Sequence, residues 1–458
     1  MKLFTVGLLL GTATWTLTSC TSLEPERDNV VATQIPPQFQ SESGSAELQL
    51  NWWEGFQSPQ LNQLMAKAFA GNLTLEQAAA RLQQAEATAR KVGADGKLKV
   101  NGEAGYGVSR ADSTSTRSVS LGLAAGYEVD LWGRISSTEK AALANWDASK
   151  FDMQTAAMTL SAELASRYFT WLAQNEALAI YKSQQQSNLN KLSAIELRYK
   201  TGQATVLDLL QQRQLVAADE AKLPPVRASI VNSEHAIAIY IGQIPGSDLQ
   251  LKPEPLPELP PRPDAGLPVN LLENRPDIQS ARLALESADW TVGAARAARL
   301  PTLSLSGSVT TSGENFDDLF NDWASNLAAN LLAPLLDGGS RKAEVDRSLA
   351  VSRETIAAYR LAVLEAIQET EDALSNESHQ ADYLQALQKQ YAAAQKSEAE
   401  SIRRYQRGVL PFLDALTAVL ARESLEITTV QAQNDLLTNR IQLYRALGGD
   451  WSFIQEEN

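Results

Sequence analysis

In two long stretches of this chain, Arg134 to Thr201 and Ser340 to Arg407, apolar positions follow a helical period that never meets a Gly or a Pro. In the second, Val345, Leu349, Ser352, Ile356, Tyr359, Val363, Ala366, Thr370 and Ala373 recur at alternating steps of four and three, the spacing of a left-handed coiled-coil seam. The first is looser, with Leu143, Trp146, Met153, Ala157, Leu160, Leu164 and Trp171 on one stripe among many alanines. Alanine favours helix and lets neighbouring helices approach closely. At roughly 1.5 Å per residue each stretch predicts a helix of about 100 Å, too long for a globular core and suited to coiled-coil packing.

Both stretches end on the same signature. Tyr199-Lys200-Thr201-Gly202 precedes Leu207-Asp208, and Tyr405-Gln406-Arg407-Gly408 precedes Leu413-Asp414. A length of 458 residues by itself suggests three domains, but this duplication argues for two copies of one plan.

Ahead of each long helix the period changes to two. Val100, Gly102, Ala104, Tyr106 and Val108 alternate with small or polar residues, and so do Val119, Leu121, Leu123, Ala125, Tyr127 and Val129. A second hairpin carries Leu303, Leu305, Gly307 and Val309. It continues through an acidic turn with Glu314, Asp317, Asp318 and Asp322 into Ser325 to Leu336. Strands of about ten residues with one apolar and one small, polar face predict transmembrane barrel strands. Each hairpin leaves through an Asp-x-x-x-Arg exit, Asp130 to Arg134 and Asp337 to Arg341, read as a strand-to-helix turn with an acid at the helix start.

Shorter helices flank these elements. One begins near Pro59 with Leu61, Leu64, Met65, Ala68 and Phe69, breaks at Gly71-Asn72 and resumes as Leu75 to Val92 before Gly93 and Gly96. Its counterpart is Pro276 to Arg299, where Ala281-Arg282-Leu283 repeats Ala80-Arg81-Leu82. Beyond the tips, one helix is expected from about Thr205 to Ile241-Gly242, interrupted at Pro224-Pro225. Another runs from Phe412 to Leu447, ending at Gly448-Gly449. In each half the flanking helices are expected to be about half as long as the central one and to run alongside it end to end. Residues 253–268 hold seven prolines and predict a stiff connector without its own core.

The predicted organisation is therefore a signal peptide at 1–19, a lipidated tether at 20–58, and a first repeat at 59–250 with its membrane hairpin at about 97–130. A Pro-rich linker at 251–270, a second repeat at 271–450 with its hairpin at about 300–336, and a tail at 451–458 complete it. Four strands cannot close a membrane barrel, which takes about eight, and open edges are forbidden in lipid. The protein is expected to oligomerise through its sheet.

Charge and the amino terminus narrow the class. A formal net charge of -14 without a basic cluster argues against nucleic acid. Met1-Lys2 and the apolar run Val6 to Leu10 have the form of a secretory signal, and Leu17-Thr18-Ser19-Cys20 resembles a bacterial lipobox. That resemblance implies cleavage before Cys20 and lipidation of its sulfur and new amino group, palmitate included. Thr21 resembles the outer-membrane sorting pattern. Cys20 is the only cysteine, so no intramolecular disulfide forms. Residues 21–50, with Pro25, Pro36 and Pro37, predict an extended tether lying on the protein. His235 and His379 stand alone in helices, no Cys/His cluster has ligand spacing, and no Gly-rich phosphate loop follows a strand. No enzyme, cofactor or metal is predicted.

The lipobox, the twin hairpins, Asp-Leu-Trp-Gly-Arg at 130–134, Asp-Gly-Gly at 337–339 and the two Tyr-x-x-Gly tips together resemble the TolC-like outer-membrane factor family. The resemblance is to its efflux lipoprotein branch, which works with resistance-nodulation-division pumps. It implies a mainly α fold with membrane β, in two tandem repeats each of a β-hairpin plus long coiled-coil helices. It also implies a homotrimer forming a 12-stranded β-barrel and an α-helical barrel. The implied partners are a periplasmic adaptor (membrane fusion) protein, an inner-membrane pump and outer-membrane lipid.

By position, the resemblance assigns adaptor contact to Gly202, Gln203, Ala204, Gly408, Val409 and Leu410. It assigns a periplasmic gate to Asp208, Tyr405, Leu413 and Asp414. Bland readings stand beside these. Both glycines suit helix C-caps, Thr205-x-x-Asp208 is a capping box, Asp414 sits in a first helical turn, and Leu413 suits a coiled-coil core position. Some relatives place a second acid at Thr417 and a basic residue at Leu410, which implies a weaker acid ring and tip lock here. The polar strand faces and acidic loop suggest a water-filled pore that tolerates cations. The expected function is a passive outer-membrane exit duct of a tripartite efflux system. An exit duct for type I protein secretion and a non-pore periplasmic coiled-coil scaffold are the alternatives.

Overall fold

The computed structural model describes residues 35–48, 51–111, 114–449 and 451. Cys20, the signal segment 1–19 and residues 452–458 lie outside the described residues. In chain order the elements are α1 (Pro59–Gly71), α2 (Leu73–Gly93), β1 (Lys99–Ala111), β2 (Thr114–Val129), α3 (Arg134–Lys200) and α4 (Val206–Tyr240). The second half repeats the order with α5 (Leu271–Asn274), α6 (Pro276–Ala297), β3 (Thr302–Gly313), β4 (Trp323–Leu332), α7 (Ser340–Gln406) and α8 (Phe412–Leu447). Helices α3 and α7 are 67 residues each, so the two Gly- and Pro-free stretches are single helices. The fold is mainly α with membrane-type β, in two tandem repeats.

Two compact units share the chain. Unit 1 includes residues 91–141 and 287–352, and unit 2 includes residues 29–90, 142–286 and 353–458. Unit 1 holds one four-stranded antiparallel sheet in the order β1-β2-β3-β4. The two hairpins are joined to each other by β2 and β3, with Leu123 opposite Val309 and Tyr127 opposite Leu305.

The register puts the alternating residues of all four strands on common faces. Gly102, Leu123 and Val309 form one cross-strand row, continued by Ser325; Ala125, Gly307 and Leu327 form part of the next apolar row. Asn101, Ala124, Ser308 and Asn326 make a row on the opposite face. Strand β4 begins two residues before the expected Ser325 and stops at Leu332 rather than reaching Leu336. Pro334 has no N–H to give a ladder, which limits the strand.

Unit 2 carries the main core. Trp52, Trp53 and Phe56 form a 3₁₀ turn that packs with α1, with Met153 to Leu172 of α3, with Ile237 of α4 and with Ile441 and Tyr444 of α8. Trp52 stacks on Tyr444 at 5.2 Å between ring centroids. These aromatics lie inside the span assigned from sequence to the tether, but they are built into the core, as large apolar side chains require. The preceding segment runs along the Pro-rich connector: Ala46 bridges Pro263, and the Gly44 N–H donates to the Pro263 carbonyl at 3.0 Å.

The seam of α7 is buried at Val345, Ser352, Tyr359, Val363, Ala366, Thr370 and Ala373, with Leu349 and Ile356 half-buried. In α3 the stripe is buried from Met153 to Trp171, but at its start Leu143 is exposed and Ala141, Ala144 and Ala148 are buried instead. The small side chains take the inward face there because they let backbones close up. Two further expectations are corrected. Helix α4 is continuous through Pro224 and Pro225. Burial of Leu223 and Ile230 on either side holds the helix where two backbone donors are missing. In the second half the flanking helix before the hairpin, α6, has 22 residues, closer to a third of α7 than to half, because it starts abruptly at Pro276.

Candidate functional site

Much of the sheet's apolar face is exposed, while near the β3–β4 turn Val119 and Thr311 are buried and the Thr311 hydroxyl donates to the Leu319 carbonyl. Leu123 is 60% exposed and Leu327 86%, and Val100, Tyr106 and Leu331 are exposed on the same face. Near the β3–β4 turn Phe316, Phe320 and Trp323 are exposed too. Aromatics at the end of an apolar strand face are typical of a membrane–water boundary. The other face carries Ser, Thr, Asn and Gly. Among the described residues, β1 and β4 each keep one edge without a strand partner.

Each hairpin hands over to its long helix through an acid. The Asp130 carboxylate accepts from the N–H groups of Ile135 and Ser136 at 3.0 and 2.8 Å, and Asp337 accepts from Gly339 and Arg341 at 2.9 and 3.1 Å. Burial alone would raise the Asp130 pKa, but the N–H groups of Ser136, Ile135 and Arg134 outweigh it and hold the carboxyl below its usual range. Arg134 pairs with Glu128 at 2.7 Å, and the Trp132 indole N–H donates to the Pro301 carbonyl at 2.7 Å, fastening the exit of the first hairpin to the start of the second.

At the opposite ends of α3 and α7 the two tips are built alike. Gly202 and Gly408 have φ of 74° and 77°, and each closes a double bond pattern onto its helix. The N–H groups of Gly202 and Gln203 reach the Tyr199 and Arg198 carbonyls, and those of Gly408 and Val409 reach the Tyr405 and Arg404 carbonyls. This is the Schellman C-cap, which favours Gly because it needs a left-handed residue. Gln203 and Val409 are exposed, and Ala204 and Leu410 are half-buried.

The helices that leave the tips start differently. Thr205 and Asp208 form a reciprocal capping box, with the Asp208 carboxylate on the Thr205 N–H at 3.1 Å. The equivalent of Thr205 is Pro411, which gives α8 no side-chain cap, and Asp414 and Thr417 are exposed. Leu413 is 56% exposed, so it is not a core position of this chain. Phe412, one residue earlier, fills the tip core with Ile195 and Leu209. The helical phase thus turns Leu413 away from the core, and Leu207, Leu210 and Val409 are likewise exposed.

Arg198, which the sequence does not single out, joins the two tips. Its guanidinium lies 5.0 Å from the Tyr405 ring centroid and donates to the Gln406 carbonyl at 3.2 Å and the Gln203 carbonyl at 3.4 Å. Its counterpart Arg404 instead binds Glu400 within its own helix. Tyr405 packs on Phe412 at 5.2 Å, and its buried hydroxyl has no hydrogen-bond partner. Burial pushes its pKa up, the nearby Asp208 charge adds to this and Arg198 opposes it. Asp208 and Tyr405 are therefore neighbours in charge rather than bonded to each other. Among the described residues no group of His, Cys, Asp and Glu is arranged to hold a metal ion, and no helix is long and apolar enough to cross a membrane.

One sheet with an apolar and a polar face, open at both edges and built from two hairpins that each lead into a long helix, defines an outer-membrane channel protomer. The profile of the outer membrane efflux protein family matches residues 64–243 and 267–449, one segment in each repeat, and the chain belongs to that family. It is similar to the pyoverdine export outer membrane protein OpmQ of Pseudomonas aeruginosa, 34% identical over 414 residues, or 87% of each chain. It is also similar to the cation efflux system protein CusC of Escherichia coli O6:H1, 28% identical over 95% of this chain and 96% of that one. Among solved structures, the outer-membrane channel OprN superposes with a TM-score of 0.87 at 27% identity, covering 93% of this chain and 99% of OprN. The chain is an outer-membrane efflux protein.

Proposed function

We propose that the protein is the passive exit duct of a tripartite efflux system, a homotrimer in which three four-stranded sheets close one 12-stranded barrel. The observation that carries this is the pair of unpartnered strand edges on a sheet with an exposed apolar face. In lipid those edges require partners, and copies of the same chain supply them with continuous register and faces. The exposed Leu143 on α3 and Leu361 and Leu364 on α7 fit packing between copies along the helices.

A periplasmic adaptor protein meets the tips at Gly202, Gln203 and Ala204 in one repeat and Gly408, Val409 and Leu410 in the other. Exposed main chain and apolar side chains there favour helix-to-tip docking. Tyr405, Asp208, Leu413 and Asp414 act as the periplasmic gate, with Leu413 and Asp414 turned away from the protomer core. An inner-membrane pump supplies the energy and chooses the cargo, a small molecule. Relatives matched over 87%, 96% and 88% of their own length are named for pyoverdine export, cation efflux and toluene efflux, which supports a duct that does not itself select. Cys20 carries the lipid anchor.

Single-channel recording of the purified, lipidated protein in planar bilayers tests this. Small, flickering currents that grow in the double variant Asp208→Ala, Tyr405→Phe are the expected result. Absence of current in both forms, with trimers present in the membrane, would overturn the channel and favour a scaffold.

A further inference from the structure

Asn188, Asp219 and Glu423 come from α3, α4 and α8 and meet where a helical bundle ordinarily holds apolar side chains. They are 0%, 1% and 3% exposed. The Asn188 amide nitrogen donates to Asp219 Oδ2 at 2.7 Å and to Glu423 Oε1 at 2.9 Å, so its two protons bridge two carboxylates. Gln212 of α4 donates to the Asn188 carbonyl at 2.9 Å, and Gln184 of α3 to the Glu423 carbonyl at 3.1 Å. The cluster thus ties the helices of the first repeat to α8 of the second. It lies about 15 Å along the helices from Arg198, Asp208 and Asp414, at roughly 1.5 Å per residue.

The charges facing Glu423 do not balance. On α4, Lys222 holds Asp219 Oδ1 at 2.8 Å; on α3, Lys191 lies 3.4 Å from Asn188 Oδ1 and 3.2 Å from Glu398 of α7. Arg422 of α8 bonds Glu398 at 2.8 Å and Glu426, and approaches Glu423 Oε1 only at 3.5 Å. Tyr391 of α7 donates to Glu426 at 3.2 Å. Asp219, Glu398, Glu423 and Glu426 therefore face three cations, Lys191, Lys222 and Arg422. The surplus falls on Glu423, whose Oε2 is buried without any hydrogen-bond partner. An ionised oxygen in that position pays its full desolvation cost, and a proton removes it.

We propose that this cluster is a proton-operated clasp between the helices of the two repeats: protonated Glu423 holds α8 against α3 and α4, and its ionisation loosens them. This rests on the channel reading and adds control of the duct by periplasmic pH. Burial raises the Glu423 pKa; the Asn188 bond lowers it, Asp219 raises it further, and Lys191 and Arg422 lower it, the balance lying above the usual value. A raised carboxyl pKa means that the clasp is tightest below the ordinary glutamate value and is lost as pH rises through the raised one.

Planar-bilayer recordings across a pH series that starts near the ordinary glutamate value of 4.5 and runs upward test the clasp. The open fraction of the wild type rises severalfold with pH, Glu423→Gln stays low throughout, and Asp219→Asn moves the step to lower pH. Hydrogen exchange of α8 amides around Glu423, corrected for intrinsic rate, rises with pH in the wild type and not in Glu423→Gln. A step retained at the same pH in Glu423→Gln, or wild-type currents and exchange without a step, overturns the clasp. If Glu423→Gln does not assemble, an unshifted step in Asp219→Asn overturns it alone. Loss of current in every form sinks the channel reading, and the exchange experiment still decides the clasp.

Discussion

The guanidinium of Arg198 covers the ring of Tyr405 at 5.0 Å, and through it the first tip holds the second. Arg198 also donates to main-chain carbonyls of both tips, and its planar fork suits this double task better than a point charge. Arg198→Ala is expected to loosen the tips and raise single-channel open probability severalfold, at a cost of about 1 kcal/mol for the lost contact. Arg198→Lys restores only part of the effect. Equal conductance in wild type and Arg198→Ala would remove this contact from the gate.

The two faces of the sheet predict opposite responses to one added charge. Leu123→Arg on the apolar face is expected to destabilise the assembled barrel by about 2–4 kcal/mol, seen as loss of heat-stable trimers on gels. Ser308→Arg on the polar face leaves the trimer intact and shifts conductance and ion selectivity.

Gly202 and Gly408 have open space where a Cβ would stand, so only their positive φ resists substitution. Gly202→Ala or Gly408→Ala is expected to cost about 1–2 kcal/mol locally, read as faster hydrogen exchange at the adjoining helix end. Asn in either place costs less, since it tolerates the left-handed region.

Asp130 gives the start of α3 an acid-sensitive anchor. Its pKa is held below the ordinary 3.8 by the N–H groups it accepts from. Its contribution is therefore fully present above 3.8 and is lost as pH falls through the lowered value. Asp130→Asn is expected to cost about 1 kcal/mol near neutral pH and to flatten that acid dependence, measured by thermal melting across the acid range.

What was legible from local pattern follows from period and from residues with few conformations. The four strands, the two 67-residue helices and the positive-φ glycines at both tips needed no partner to be read. Alternation depends on the pleat, unbroken helix on the absence of Gly and Pro, and a C-cap on a residue without a Cβ. The capping box of Asp208 was visible for the same reason, and its carboxylate is occupied there.

Features that depend on which distant residue lies opposite were not legible. Pairing of β2 with β3 joins the hairpins into one sheet, and nothing in either strand names its neighbour. Packing on both sides of Pro224 and Pro225 overrides their local tendency to break α4.

The sequence by itself determined the duplicated plan, the amphipathic strands and the capped tips, because each rests on steric and solvation rules acting within a few residues. Only the tertiary structure decided that Arg198 crosses to the second tip while Arg404 stays on its own helix, and that Asn188, Asp219 and Glu423 close on one another. A polar side chain on a long helix reads as solvated until the neighbouring helices remove its water, and that removal comes from packing between residues 31 positions apart for Asn188 and Asp219 and 235 apart for Asn188 and Glu423.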